Sequence, residues 1–394
     1  DGARPYRANI GSVIGGKPTP PTRLYETTRS NFSLRYENLN DFGMWDPELV
    51  LGFSESDIRV PEPYQSTGIS STLSFKAQNT FHLSDSKTIT AGIDYYKKKS
   101  EYSEPGSAVS EEGAKNFGVF AQLRMEPSEH WLLSGGLRYD WQDFNGLGDY
   151  ETSDNGASGN ASVTYRISDR LSVRAGYSSV FGGIQLEDNY EFWRAWTYDG
   201  LRSARAQNYI AGIDWTNDRL TLGGEIFLTE INRARSGGSN IDFESKGYSL
   251  GATYGWDLGF LRFTYIDSEI SVNGAATGSY EALDLGAPLG QVIALEVQQE
   301  LPAYNLVVGG NLDMALDYDD TQDTSGLGLE GYEVINLFAE YTPPALTGVT
   351  VRASVQNLLD ADYADRATYG ADYTSVVALK EPGRSFNLEL IARF

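Results

Sequence analysis

The chain has 394 residues, no cysteine and a formal net charge of −23. That excludes a disulfide scaffold and a thiolate metal site, and so strong a negative excess opposes binding to the phosphates of a nucleic acid. Only 40% of residues are hydrophobic and no apolar stretch reaches the roughly 18 residues of a membrane helix, which leaves a soluble β-protein or a membrane barrel, whose alternating strands average to a polar mean.

The first segment that alternates apolar and polar residues falls at about 28–38. In T-L-S-F-K-A-Q-N-T-F-H-L, Leu73, Phe75, Ala77, Phe81 and Leu83 share one face, while Thr72, Ser74, Lys76, Gln78, Thr80 and His82 share the other. In L-L-S-G-G-L-R-Y-D-W, Leu133, Leu137, Tyr139 and Trp141 oppose Ser134, Arg138 and Asp140. The run Y-N-L-V-V-G-G-N-L-D-M-A-L-D-Y alternates from Tyr304 to Tyr318 and predicts one long strand. The final S-F-N-L-E-L-I-A-R-F places Phe386, Leu388, Leu390, Ala392 and the terminal Phe394 on one face. About seventeen such segments follow one another with no competing helical period.

Their connections fall into two classes. Short, turn-like ones occur at 83–87, 126–130, 167–170, 216–219, 255–259 and 301–305. Long, polar, Gly/Ser/Asp-rich ones are predicted at 100–115, 145–158, 180–200, 233–243, 268–288 and 318–331. Short turns at one end and long loops at the other are the pattern of an outer-membrane barrel. Aromatics gather where strands meet connections, at Tyr95 and Tyr96, Tyr139 and Trp141, Tyr254 and Trp256, and Tyr318, as interfacial girdles require. Charged residues keep to the opposite face, because an Arg or Lys facing lipid at mid-depth costs about 2–4 kcal/mol. The expected fold is therefore all-β, a transmembrane antiparallel barrel in a bacterial outer membrane, surrounded by lipid. A closed barrel pairs its last strand with its first. The strand carrying Phe386, Leu388, Leu390 and Phe394 is similar to the C-terminal assembly signal of such barrels.

Three stretches resemble TonB-dependent outer-membrane receptors. G-V-F-A-Q-L-R (118–124) precedes W-L-L-S-G-G-L-R-Y-D-W (131–141); V-R-A-G-Y-S-S-V-F (173–181) precedes L-R-S-A-R-A-Q-N-Y-I-A-G-I-D-W (201–215); and V-Q-N-L-L-D-A-D-Y (355–363) precedes E-P-G-R-S-F (381–386). The resemblance implies import of a ferric siderophore or a similar scarce, bulky nutrient, with energy delivered by a TonB-type partner through a plug. It also implies about 22 strands. Nothing in the chain resembles the plug or its TonB box, so the expectation is a barrel portion over 28–394, preceded by an extracellular loop segment over 1–27. The competing expectation is a complete passive porin of about 16–18 strands.

Candidate functional residues cluster in few places. I-Q-L-E-D-N-Y-E-F-W-R-A-W-T-Y-D-G gathers Tyr190, Phe192, Trp193, Trp196 and Tyr198 around Arg194, in what should be an extracellular loop. Aromatics beside a cation suit an anionic, ring-bearing or chelated-iron ligand; the alternative is that they fold the loop upon itself. Arg124, Arg138, Arg174, Asp94 and Asp140 are expected to face the lumen, touching a plug or setting ion selectivity. Asp313, Asp317, Asp319, Asp320 and Asp323 lack the spacing of a calcium loop and read as a solvated loop. His82 and His130 lie at short turns without ligand or triad spacing. Haem receptors of the family present a loop His, absent from V-F-G-G (180–183) and T-Y-D-G (197–200), which favours a siderophore. No catalytic arrangement, cofactor site or metal site is expected.

Overall fold

The structure, a computed structural model, describes residues 2–4, 13–14, 17–18, 23–38, 44–62, 65–186, 198, 200–236, 238–276, 290–319, 328–346, 348–366, 369–372, 375–378 and 380–393. Among the described residues, seventeen long strands follow in chain order. They are β1 (Arg23–Glu37), β2 (Pro47–Val60), β3 (Ser66–Ser84), β4 (Lys87–Ser103), β5 (Ser110–Ser128) and β6 (Trp131–Asn145). Next come β7 (Glu151–Ser168), β8 (Leu171–Gly183), β9 (Ala204–Thr216), β10 (Leu220–Ser236) and β11 (Ser239–Trp256). The series ends with β12 (Gly259–Val272), β13 (Gly290–Leu301), β14 (Leu306–Ala315), β15 (Tyr332–Tyr341), β16 (Val349–Gln356) and β17 (Ser385–Ala392). All belong to one sheet, together with the short pieces Gly2–Arg4 and Ala275–Ala276. Several run to 17–19 residues, where strands in soluble domains rarely pass about 10.

The chain divides into two compact units: Asp1–Tyr165 with Ala175–Tyr209 and Thr229–Phe243, and Arg166–Arg174 with Ile210–Leu228 and Glu244–Phe394. In the first unit, β1 to β7 form an antiparallel meander. Its register sets Phe32 opposite Phe53, Phe53 opposite Leu73, Phe75 opposite Tyr95, Tyr95 opposite Phe117, and Phe117 opposite Trp141. In the second, β12 to β17 do the same, with Phe263 opposite Leu295, Leu295 opposite Leu312, Leu312 opposite Ile335, and Val355 opposite Phe386.

The two faces are inverted relative to a soluble protein. Along β5 and β6 the buried positions hold Glu112, Asn116, Asp140 and Gln142, whereas Phe117, Leu137, Tyr139 and Trp141 are exposed. Leu137 is 76% exposed and Leu388 on β17 is 78% exposed. An apolar surface running across neighbouring strands is costly in water and favourable in lipid. The greasy set found in the sequence points away from the polar one, as a membrane wall demands.

Several sequence expectations are corrected. The stretches 100–115, 145–158 and 233–243 are not long loops. β4 and β5 extend to Ser103 and from Ser110, β7 starts at Glu151, and β10 and β11 are separated only by residues 237–238. Those extensions are mostly polar, so hydrophobic alternation is weak along them, while the backbone pairs regardless of side chain. For the same reason β1 begins at Arg23, inside the segment 1–27 expected to be loop. The strand expected over 304–318 is shorter. Pro302–Tyr304 forms a 3-10 turn, Asn305 takes a left-handed φ of 51°, and β14 stops at Ala315. Tyr318 lies beyond it, buried, and makes an isolated antiparallel bridge to Leu329.

Candidate functional site

Side chains of β4, β5 and β6 at even positions share the polar face, because directly opposed residues such as Asp94 and Gly118, or Gly118 and Asp140, lie on one side of the sheet. There the structure brings together three of the residues singled out from sequence. The Arg138 guanidinium donates to both oxygens of Asp94, one at 2.7 Å, and its Nε donates to Asp140 Oδ2 at 2.8 Å. Asp140, 4% exposed, also accepts from Asn116 Nδ2 at 2.8 Å. One cation thus sits between two carboxylates, a charge-assisted network with its lone pairs largely occupied. Gly118 makes room for it, since a Cβ at that position would run into the guanidinium.

Arg174 on β8 is held the same way, donating to Asp214 on β9 and to Glu225 on β10, the latter at 3.0 Å. Arg124 on β5 is exposed on the same face as Gly118 and lies apart from these clusters. Sequence reasoning missed Asn116, Asp214 and Glu225. Counting back by twos from Arg124 reaches Asn116 and Glu112, so their face was legible; their partners across the sheet were not.

The third cluster lies where β5, β6 and β10 approach the connections 104–109, 146–150 and 184–203. Glu112 is fully buried and receives a two-pronged grip from Arg235: Nη1 to Oε2 and Nη2 to Oε1, both at 2.6 Å. Tyr198 donates its hydroxyl to Glu112 Oε1 at 2.7 Å and accepts from Leu147 N at 2.9 Å. Arg235 Nη1 also donates to the Gln185 carbonyl at 2.7 Å. Around the charges stand Phe144, Ile184, Leu201 and Ala114, all buried. Tyr150 stacks on Tyr198 at 4.7 Å between ring centroids, and the Arg235 guanidinium lies 5.7 Å from the Phe144 ring. Gln142 clasps Ile184 at both backbone groups, donating to its O at 3.2 Å and accepting from its N at 2.7 Å.

Tyr198, grouped from sequence with the ligand-facing aromatics, is instead 3% exposed and fastens the connection to the strands. Burial, first of all, pushes its phenol well above the ordinary tyrosine value; the hydrogen bond from Leu147 N pulls the other way, and that to Glu112 adds to the rise. Tyr190, Phe192, Trp193, Arg194 and Trp196 lie outside the described residues, as do Asp320, Asp323 and Phe394. Phe386, Leu388 and Leu390 form one exposed row on β17.

Among the described residues no group of His, Asp and Glu is arranged to hold a metal ion. Asp317 accepts from Gly331 N at 2.7 Å and serves the turn. His82 lies 3.2 Å from Asp46 at the end of β3, and His130 occupies the two-residue turn after β5, with its ring 6.1 Å from that of Tyr165. Both belong to the short-turn class of connection, not to the one that carries Tyr198.

The motif V-Q-N-L-L-D-A-D-Y also finds its physical reason. Asn357 is buried with φ 49°, donates to Ala361 O at 2.8 Å and accepts from Ala361 N at 2.8 Å, while Asn336 Oδ1 accepts its backbone N–H. Asp360 Oδ1 accepts from Arg384 N at 2.8 Å, so the two halves of the motif meet in one turn.

Long antiparallel strands, an exposed apolar face and buried or half-buried ion pairs on the reverse define a transmembrane β-barrel of the bacterial outer membrane. A family model described as TonB dependent receptor-like, beta-barrel matches residues 2–358, and the chain belongs to that family. It is similar to the Heme transporter BhuA of Brucella abortus (strain 2308), 28% identical over 406 residues that span 96% of this chain and 60% of that protein. The Ferric enterobactin receptor of Pseudomonas aeruginosa is 22% identical, over 79% of this chain and 49% of that one. Among solved structures, the FrpB iron transporter from Neisseria meningitidis (F5-1 variant) superposes with a TM-score of 0.80 at 16% identity, over 95% of this chain and 64% of the other. The Copper transporter OprC gives 0.76 at 16%, over 94% and 66%. The chain spans about 60% of the length of the first of these curated relatives. These matches favour a receptor barrel over a diffusion porin.

Proposed function

We propose that this barrel is the wall of an active importer that takes up an iron chelate, a ferric siderophore in our reading. Ligand binds the loop-bearing side through the aromatics Trp193 and Trp196 with Arg194, and a TonB-type protein supplies energy through a plug seated against the polar face. One observation carries the reading. Arg138 and Arg174 are each bracketed by two carboxylates, so the polar face presents fixed hydrogen-bonding ion pairs suited to a protein surface. A porin constriction would instead leave its charges available to passing ions. Two relatives named for iron cargoes, a heme transporter and a ferric enterobactin receptor, agree with iron.

Haem is the second reading, favoured by the 28% identical heme transporter. Against it, both histidines of the chain sit at short-turn ends of strands, so this stretch of wall offers no loop imidazole for haem iron. The test is binding of a panel of ferric siderophores, with haem beside them, to the intact gene product, followed by tryptophan fluorescence. Saturable siderophore binding weakened in Trp193→Ala and Trp196→Ala supports the reading. Saturable haem binding alone replaces the cargo. Steady single-channel conductance with no chelate bound sinks the receptor reading.

A further inference from the structure

On the exposed apolar face, Phe75, Tyr95, Phe117 and Trp141 oppose one another across β3 to β6. Phe117 and Trp141 stack with ring centroids 5.8 Å apart. One register step toward the connections 104–109 and 146–150, the next row reads Leu73, Lys97, Lys115 and Asp143. Lys97 and Lys115 are therefore directly opposed, and both are exposed. Like charges facing each other across a strand pair destabilise it. Nothing in the folding of a sheet asks for them.

Comparable lysines are neutralised within the protein. Lys99, one row further out, lies 2.7 Å from Glu101 and 3.0 Å from Glu111. Lys246 on β11, beyond the exposed Tyr248, lies between Glu244 at 3.6 Å and Glu269 at 3.4 Å. Among the described residues neither Lys97 nor Lys115 has an ion-pair partner. Lys97 is flanked on its far side by Leu73, and Asp143 beside Lys115 stands without a bridge to it. A chain of net charge −23 thus places two cations side by side, neither held in an ion pair among the described residues, where its aromatic row ends and the headgroup zone begins.

We propose that Lys97 and Lys115 together bind the phosphate of an anionic lipid headgroup in the leaflet on the loop-bearing side. The lipid's acyl chains lie along Phe117, Tyr139 and Leu137. The phosphate removes the repulsion between the lysines, and the apolar strip below it supplies what a free phosphate ion lacks. The site does not depend on the cargo of the receptor. It fixes the depth of this wall in the bilayer through a contact that is electrostatic on top and apolar beneath.

The test uses the intact protein in neutral detergent, titrated with a bisphosphorylated glycolipid, with the same glycolipid after phosphate removal, and with inorganic phosphate; bound lipid is read by native mass spectrometry. Wild-type protein and Lys97→Arg with Lys115→Arg should retain the phosphorylated lipid. Lys97→Gln with Lys115→Gln should bind it about tenfold or more weakly, on the usual scale of lysines at an anionic surface. Heat-modified mobility on gels confirms that the Gln variant is folded, and the Arg variant shows that charge rather than shape is read. Equal retention by the Gln variant overturns the proposal, as does equal binding of the dephosphorylated lipid to the wild type. Full displacement by millimolar inorganic phosphate also overturns it, since it would mean an ion site without a lipid.

Discussion

The pair formed by Glu112 and Arg235 offers the sharpest test of how the connection 184–203 is held. Glu112 has no exposed surface and Arg235 keeps 6% of its side chain exposed. Replacing Arg235 by Met leaves a buried carboxylate without its cation. Removing one partner of a buried pair costs about 3–5 kcal/mol, most of it the stranded charge. The loss should be local, because the cluster is a satellite of the sheet and the strands keep their ladders. Amide exchange reports it: Leu147 N bonds the Tyr198 hydroxyl, Ile184 N bonds Gln142, and Leu201 N bonds the Tyr198 carbonyl at 3.0 Å. Protection at these three amides should fall on the order of a hundred- to a thousandfold, with β3 and β4 unchanged. Adding Glu112→Leu should restore much of it, since apolar residues replace a buried pair at little cost. Unchanged exchange in Arg235→Met would refute the assignment of a clamp.

Three further outcomes follow from the same structure. Tyr198 is kept neutral by burial, so its contribution to the clamp is intact below about pH 10, the ordinary tyrosine value, and is lost as pH rises beyond it; the protection factor of Leu147, corrected for the base-catalysed intrinsic rate, should fall there in the wild type and show no such fall in Tyr198→Phe. Leu137→Arg puts a charge on an outward position that is 76% exposed and should cost about 2–4 kcal/mol near mid-bilayer, measured by urea-titrated folding into vesicles; equal stability would contradict a lipid-facing wall. Asn357→Ala removes the Ala361 clasp and places a Cβ residue at φ 49°, so it should lower stability by about 2–4 kcal/mol, with Asn357→Asp retaining part of it.

The sequence by itself determined which segments form strands and their two-facedness. A lipid exterior and a polar interior force every second residue to be apolar, and that rule is local enough to read one strand at a time. It also placed Asp94, Arg138 and Asp140 on one face, because parity along a strand is counted and not measured. It went wrong where the environment stops imposing the rule, in the polar extensions of β5 and β7, and where alternation outlasts the strand, from Leu316 to Tyr318. Which charges meet was decided only by tertiary structure. Glu112 and Arg235 are 123 positions apart, and neither residue carries a local mark of the other. Tyr198 looked like its neighbours in an aromatic run, yet its hydroxyl is held by Glu112 and Leu147 N and its ring is buried. The physical reason is range: hydrophobic burial acts on each residue by its own face, whereas an ion pair exists only once strand order and register have brought two distant side chains within hydrogen-bond reach.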